Sequence, residues 1–240
     1  MDLPRYLDIA TRGRLFLSRQ DKFRDTFEGA IPLQSRKALA MQSRALELEY
    51  LTSVDQGETR PNRPTLEKQM MSFLESVRRE MFISCWHMNS AESAAMWDLY
   101  GKDGSAIAFR TSYEKLRDHL PSNSYLGMVK YIDFENDYFS LDNAMNPSMN
   151  KRRSFEHENE VRAVINKPVE PFEGSEEYEV VREMTEFGIT IPFKINEVID
   201  EIYLSPDAMP WFVRLILETN AKLGVTAPLR KSSLYDAAIF

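Results

Sequence analysis

Cysteine is nearly absent from this 240-residue chain: Cys85 stands alone. A single thiol excludes an intramolecular disulfide and a cysteine-based zinc site, and it suits a reducing compartment. Histidine is nearly as sparse. His87, His119 and His157 lie well apart, so no spacing supports a three-histidine metal centre. No run approaches the roughly 20 apolar residues that span a bilayer, and the opening Met1-Asp2-Leu3-Pro4-Arg5 lacks the apolar stretch of a secretory signal. The expectation is a cytoplasmic protein with no membrane partner. No Walker loop, Rossmann glycine pattern, Gly-x-Ser-x-Gly elbow or His-Glu-x-x-His helix is present. Nucleotide triphosphatase, dehydrogenase, serine hydrolase and zinc protease readings therefore lose their signatures. A net charge of −7 argues against broad electrostatic capture of nucleic acid, which leaves only a local run such as Lys151-Arg152-Arg153 to meet phosphate. Three adjacent cations read more simply as a solvated loop.

What is present describes an ordinary globular chain, with 43% hydrophobic and 28% charged residues. Apolar periodicity predicts helices over 4–11, 33–54, 66–79, 93–100, 112–120 and 210–223. Strands are predicted over 14–18, 81–86, 105–110, 129–132, 162–166 and 198–204, with 178–181 and 189–191 as a hairpin. The small residues of 105–110 suggest a strand buried on both faces, and residues 55–64 read as a loop. The fold class is α+β: one domain over 1–240, with a mainly antiparallel sheet, continuous or split, flanked by helices. A helical hairpin is inserted near 33–79.

The densest chemistry lies in Ser154-Phe155-Glu156-His157-Glu158-Asn159-Glu160-Val161-Arg162. Read as a strand, its period of two puts Glu158, Glu160 and Arg162 on one face and Val161 toward the core. Carboxylates this close repel one another, so a cation, a metal or a cationic transition state must stand opposite, or Arg162 must neutralise one of them. An exposed strand face with a cross-strand salt bridge explains the spacing equally well.

Several further motifs run in a set order: Phe23-Arg24-Asp25-Thr26-Phe27-Glu28-Gly29, Ile83-Ser84-Cys85-Trp86-His87, Met96-Trp97-x-x-Tyr100-Gly101, Gly104 through Phe109, Val129-x-Tyr131, Phe155-x-x-Glu158-x-Glu160-x-Arg162, and Lys231-Ser232-x-Leu234-Tyr235. Together they resemble the domain of unknown function 2971 family of bacteria and phages, over nearly the whole chain. The family's distant similarity to ADP-ribosyltransferases implies a compact split sheet binding NAD in a cleft. It further implies a toxin or phage-defence factor that modifies a protein or nucleic-acid acceptor. On that resemblance the catalytic residues are Glu160, Glu158 and Ser84. Glu160 would hold the ribose hydroxyl and stabilise the oxocarbenium-like charge, and Glu158 would orient or deprotonate the acceptor. Arg14 or Arg19 fills the early cationic position. Trp86, Trp97 and Tyr100 are the candidates to stack on NAD, and Arg110 and Arg162 to take its phosphates. Many members of that family begin with an aromatic-Arg-Tyr strand ahead of the equivalent of Met1-Asp2-Leu3. The expectation is thus a truncated or degenerate member, or one that uses Arg14 differently.

Simpler readings stand beside these. Trp97 and Tyr100 form a helical stripe that first suggests core, Cys85 reads as an inert buried residue, and Asp25 as an Asx turn. Two other function classes follow. One is a magnesium- or manganese-dependent hydrolase or nuclease built on Asp25, Glu28, Glu158 and Glu160. The other is a non-catalytic binding module in which the glutamates pair with Arg14, Arg24 or Arg162. Carboxylates open to a cleft favour an enzyme, and carboxylates forked by arginine favour structure.

Overall fold

The computed structural model describes residues 1–53, 65–101, 103–166 and 183–237. Helix α1 (Leu3–Arg12) starts at Asp2, whose carboxylate accepts the Arg5 N–H at 3.0 Å. It ends at Gly13, whose φ of 59° supplies the left-handed cap. The chain then enters β1 (Arg14–Arg19). Helices α2 (Leu33–Ser53) and α3 (Leu66–Glu80) form the expected hairpin, with Thr65 capping α3 through the Lys68 N–H. Strand β2 (Met81–His87) and helix α4 (Ala94–Tyr100) follow, then β3 (Ile107–Arg110), α5 (Tyr113–His119) and β4 (Ser124–Met128). Beyond them lie β5 (Lys130–Ile132), β6 (Asn150–Arg152), β7 (Glu160–Asn166), β8 (Glu183–Met184) and β9 (Gly188–Pro192). The chain continues through α6 (Ile195–Val198), β10 (Glu201–Leu204), α7 (Pro210–Leu223) and β11 (Leu229–Lys231).

The result is α+β with a split sheet. Six antiparallel strands run β4-β7-β2-β1-β9-β8, a second sheet runs β11-β10-β3, and β5 pairs with β6. The register assigns the two faces of the large sheet. Phe82, Ile165, Leu15, Leu17, Ile189 and Ile191 point to one side and join Tyr6, Ile107, Ile202, Leu204, Phe212 and Ile216 in the main core. Met81, Ile83 and Val164 point to the other side and form a smaller core with Val77 of α3.

Several expectations are corrected. Strand β4 was not anticipated, because an edge strand with exposed Tyr125 and Met128 carries little alternation to read. The strand expected to be buried on both faces, β3, lies at an edge of the small sheet and ends in an exposed Arg110. The stretch 198–204 divides into the end of α6 and β10. The proposed loop at 55–64 and the hairpin strand at 178–181 lie outside the described residues.

Gly188 sits where β9 crosses β1. A Cβ built there would lie 2.1 Å from the Leu17 carbonyl oxygen and 2.5 Å from the Phe16 ring. Gly188→Ala is therefore expected to cost about 1–3 kcal/mol in urea unfolding; unchanged stability would show that the strand pair can spread.

Candidate functional site

Glu160 and Arg162 leave the same face of β7, as period two requires, and pair across β2 with His87 and Cys85. That face is buried here. Arg162 has no exposed surface, Glu160 is 4% exposed and Glu28 is 2% exposed, so each charge needs a partner of opposite sign. Arg162 satisfies all five of its N–H groups. Its Nε donates to Glu160 at 2.7 Å, its Nη1 to Glu28 at 2.8 Å and to the Ser148 carbonyl at 2.6 Å, and its Nη2 to Glu28 at 2.8 Å and Glu160 at 3.2 Å. The guanidinium is forked by two carboxylates from distant parts of the chain.

Lys151 is the second cation. Its ammonium donates to Glu160 at 3.0 Å and to Glu158, stands 3.5 Å from Glu28, and lies 4.8 Å from the Phe155 ring centroid. Glu158 is not on a strand, as the sequence had suggested. It closes a 3-10 segment (Arg153–Glu158), and Asn159 in the left-handed region, with φ of 37°, returns the chain into β7. His87 Nδ1 meets the Glu158 carbonyl at 2.5 Å, and the Glu160 N–H donates to the Tyr131 hydroxyl at 2.8 Å. At the start of this layer Asp25 accepts the Phe27 N–H at 3.1 Å, the Asx turn expected of it, and is gripped by Arg152 at 2.7 and 3.2 Å. Gly29 follows Glu28 with φ of 75°; a Cβ there would lie 2.7 Å from Arg78 Cγ, so the turn that aims Glu28 inward needs glycine.

The electrostatics follow from this packing. Burial pushes the Glu160 carboxyl up, but Arg162 by charge and hydrogen bond, then Lys151, outweigh it and leave the group below its ordinary value. Burial disfavours the Lys151 ammonium, and Glu160, Glu158 and Glu28 reverse that and raise it. Desolvation of the Cys85 sulfur and then the charge of the Glu160 carboxylate push the thiol well up. Cys85 also keeps exposed surface, so the charge of Glu160, which leaves the same face of the sheet, is the cause that the strand register supports.

The structure thus brings together Glu160, Glu158 and Arg162 of the expected residues. Tyr100, 57% exposed at the end of α4, lies within electrostatic reach of Glu158, Cys85, Lys151 and Glu160. Ser84 and Trp86 pair with Ala163 and Val161 and face the other side of the sheet. Trp97 is buried and donates to Glu92 at 2.9 Å. Arg14 meets Asp8 at 3.4 Å, Arg19 meets Asp21 at 2.6 Å, and Arg110 binds Glu201 in the small sheet at 2.7 Å. Sequence reasoning missed Lys151, read as part of a solvated run yet 7% exposed, and Cys85, read as buried yet exposed beside Glu160. The signal for Cys85 was parity, since Cys85 and not Ser84 shares the face of Arg162; Lys151 carried none. Three glutamates do converge, but on the Lys151 ammonium. Among the described residues no group of three His, Cys, Asp or Glu is placed to hold a metal ion, and no helix is long and apolar enough to cross a membrane. Comparison with known protein families, with curated proteins and with solved structures finds no match.

Arg162→Met leaves Glu28 and Glu160 buried without their fork and is expected to cost about 3–5 kcal/mol in urea unfolding at neutral pH. A loss under about 1 kcal/mol would show the network to be dispensable. Because the folded-state pKa of Glu160 is lowered, its stabilisation is complete above the unfolded carboxyl value, about 4.3. It is lost as pH falls through the lower folded value. Stability measured from pH 5 down to 3 should therefore fall less steeply in Glu160→Gln than in the parent; parallel curves would contradict the assignment.

Proposed function

We propose that this chain is a non-catalytic binding module of the domain of unknown function 2971 type, in which the acid run is a structural ion network. The observation that carries this reading is the state of Glu160: 4% exposed and bonded to both Arg162 and Lys151. A carboxylate that is to stabilise an oxocarbenium-like charge must face substrate with its own charge uncompensated. Here two cations already compensate it. The proposed setting is the cytoplasm, which the single thiol suits, and the proposed partner is a protein rather than nucleic acid, in keeping with the net charge of −7.

A second reading is an NAD-dependent ADP-ribosyltransferase acting on a protein or nucleic acid, and one observation favours it. The Glu158 side chain keeps 16% of its surface exposed at the head of β7, with Tyr100 nearby and Cys85 of β2 on the same face of the sheet as Glu160. In that reading Cys85 takes the place expected of Ser84. A metal-dependent hydrolase is supported least, since Lys151 stands among the three glutamates that a divalent cation would need.

Calorimetric titration of the full chain with NAD, and separately with magnesium alone, distinguishes the three. No saturable heat with either is the expected outcome. Saturable NAD binding that disappears in Glu158→Gln would replace this reading with the transferase, and a saturable magnesium response would replace it with the hydrolase.

A further inference from the structure

Helix α7 is two-faced. Phe212, Ile216 and Asn220 are buried, and Asn220 accepts the Tyr6 hydroxyl, which fixes this face on α1 and the main core. The opposite face carries Trp211, 64% exposed, and Leu215, 40% exposed, with Arg214, Glu218, Ala221 and Lys222 also exposed. Trp211, Leu215, Glu218 and Lys222 follow one another at helical spacing along a single strip. Trp211, Arg214, Leu215 and Glu218 frame a shallow depression of about 350 Å³. Tryptophan is ordinarily well covered, and the exposed Trp211 at the head of this strip is the residue type that anchors interfaces.

The strip's charge pattern names its occupant. Arg214 and Glu218 stand one turn apart with opposite signs, so the strip is complementary to itself when run antiparallel. We propose that the exposed strip of α7 pairs with that of α7 in a second copy about a two-fold axis that crosses the strip at the level of residue 216, between Arg214 and Glu218. Each Arg214 then faces Glu218 of the partner subunit, twice over. Each Trp211 ring lies toward Ala221 of the partner subunit, where a small side chain leaves room for it. Such an interface is isologous and closes at two copies. A strip carrying both signs beside a tryptophan fits a lipid surface or a peptide of one charge less well. One helix pair buries less than a standard interface, so the dimer is concentration-dependent. The proposal is independent of the ion network, which lies on the other face of the large sheet.

Sedimentation velocity of the full chain over a hundredfold concentration range, with circular dichroism confirming the fold of each variant, tests it. A dimer fraction that rises with concentration is expected, and Arg214→Glu or Glu218→Arg alone should each weaken dimerisation by about tenfold or more. The double variant Arg214→Glu with Glu218→Arg should recover it, because the pair is restored with its signs exchanged. Monomer throughout, or single variants that dimerise like the parent, or a double variant that fails to recover, would overturn the proposal. Monomer throughout would leave the strip to a lipid surface or a peptide.

Discussion

A guanidinium with no exposed surface sits on one face of the large sheet, and the loop bearing Glu28 and the segment bearing Ser148 close over its charge. Desolvating such an ion costs several kcal/mol, so Arg162 is tolerable only because each of its N–H groups meets an acceptor. Glu28 comes from far along the chain, in the loop after β1, the Ser148 carbonyl from the segment before β6, and Glu160 from β7 itself, two residues away. Lys151 then ties the same carboxylates to Glu158. Between them, two cations and three glutamates fasten the layer that covers one face of the large sheet, beside a smaller core of Val77, Met81, Ile83 and Val164.

That arrangement bears on function through a single contrast. A catalytic carboxylate gains its effect by meeting charge that develops in the transition state, whereas Glu160 meets permanent charge in the resting protein. Ion networks of this kind contribute little net stability compared with a well-packed apolar replacement, yet they are costly to break one partner at a time. Their value here is positional: the fork admits one placement of the loop bearing Glu28 and one placement of the segment bearing Ser148. The solvent-facing end of the network, where Glu158, Tyr100 and Cys85 lie, is the part with freedom to meet a ligand.

Much of this was legible in the sequence, and the misses share a physical cause. Period two correctly set Glu160 and Arg162 on one face of β7, and apolar periodicity placed α1 and α3. The same rule fails where the chain leaves the strand: Asn159 enters the left-handed region, so Glu158 reaches the cluster from a 3-10 segment. Parity on β2 also mattered, because a shift of one residue exchanges faces. Ser84 therefore points away from Glu160, while Cys85 points toward it. Lys151 was unreadable for a different reason. A lysine in a basic run looks solvated until tertiary structure brings Glu28 and Phe155 against it. The weak alternation of β4 likewise reflects an edge whose exposed residues carry no burial signal.

The central claim is that Arg162 and Glu28 act as one buried unit. A double-mutant cycle in urea unfolding, with Arg162→Met, Glu28→Gln and both together, measures their coupling directly. A coupling energy above about 1 kcal/mol is expected, with the double variant less destabilised than the sum of the singles. Additivity within about 0.5 kcal/mol would contradict it.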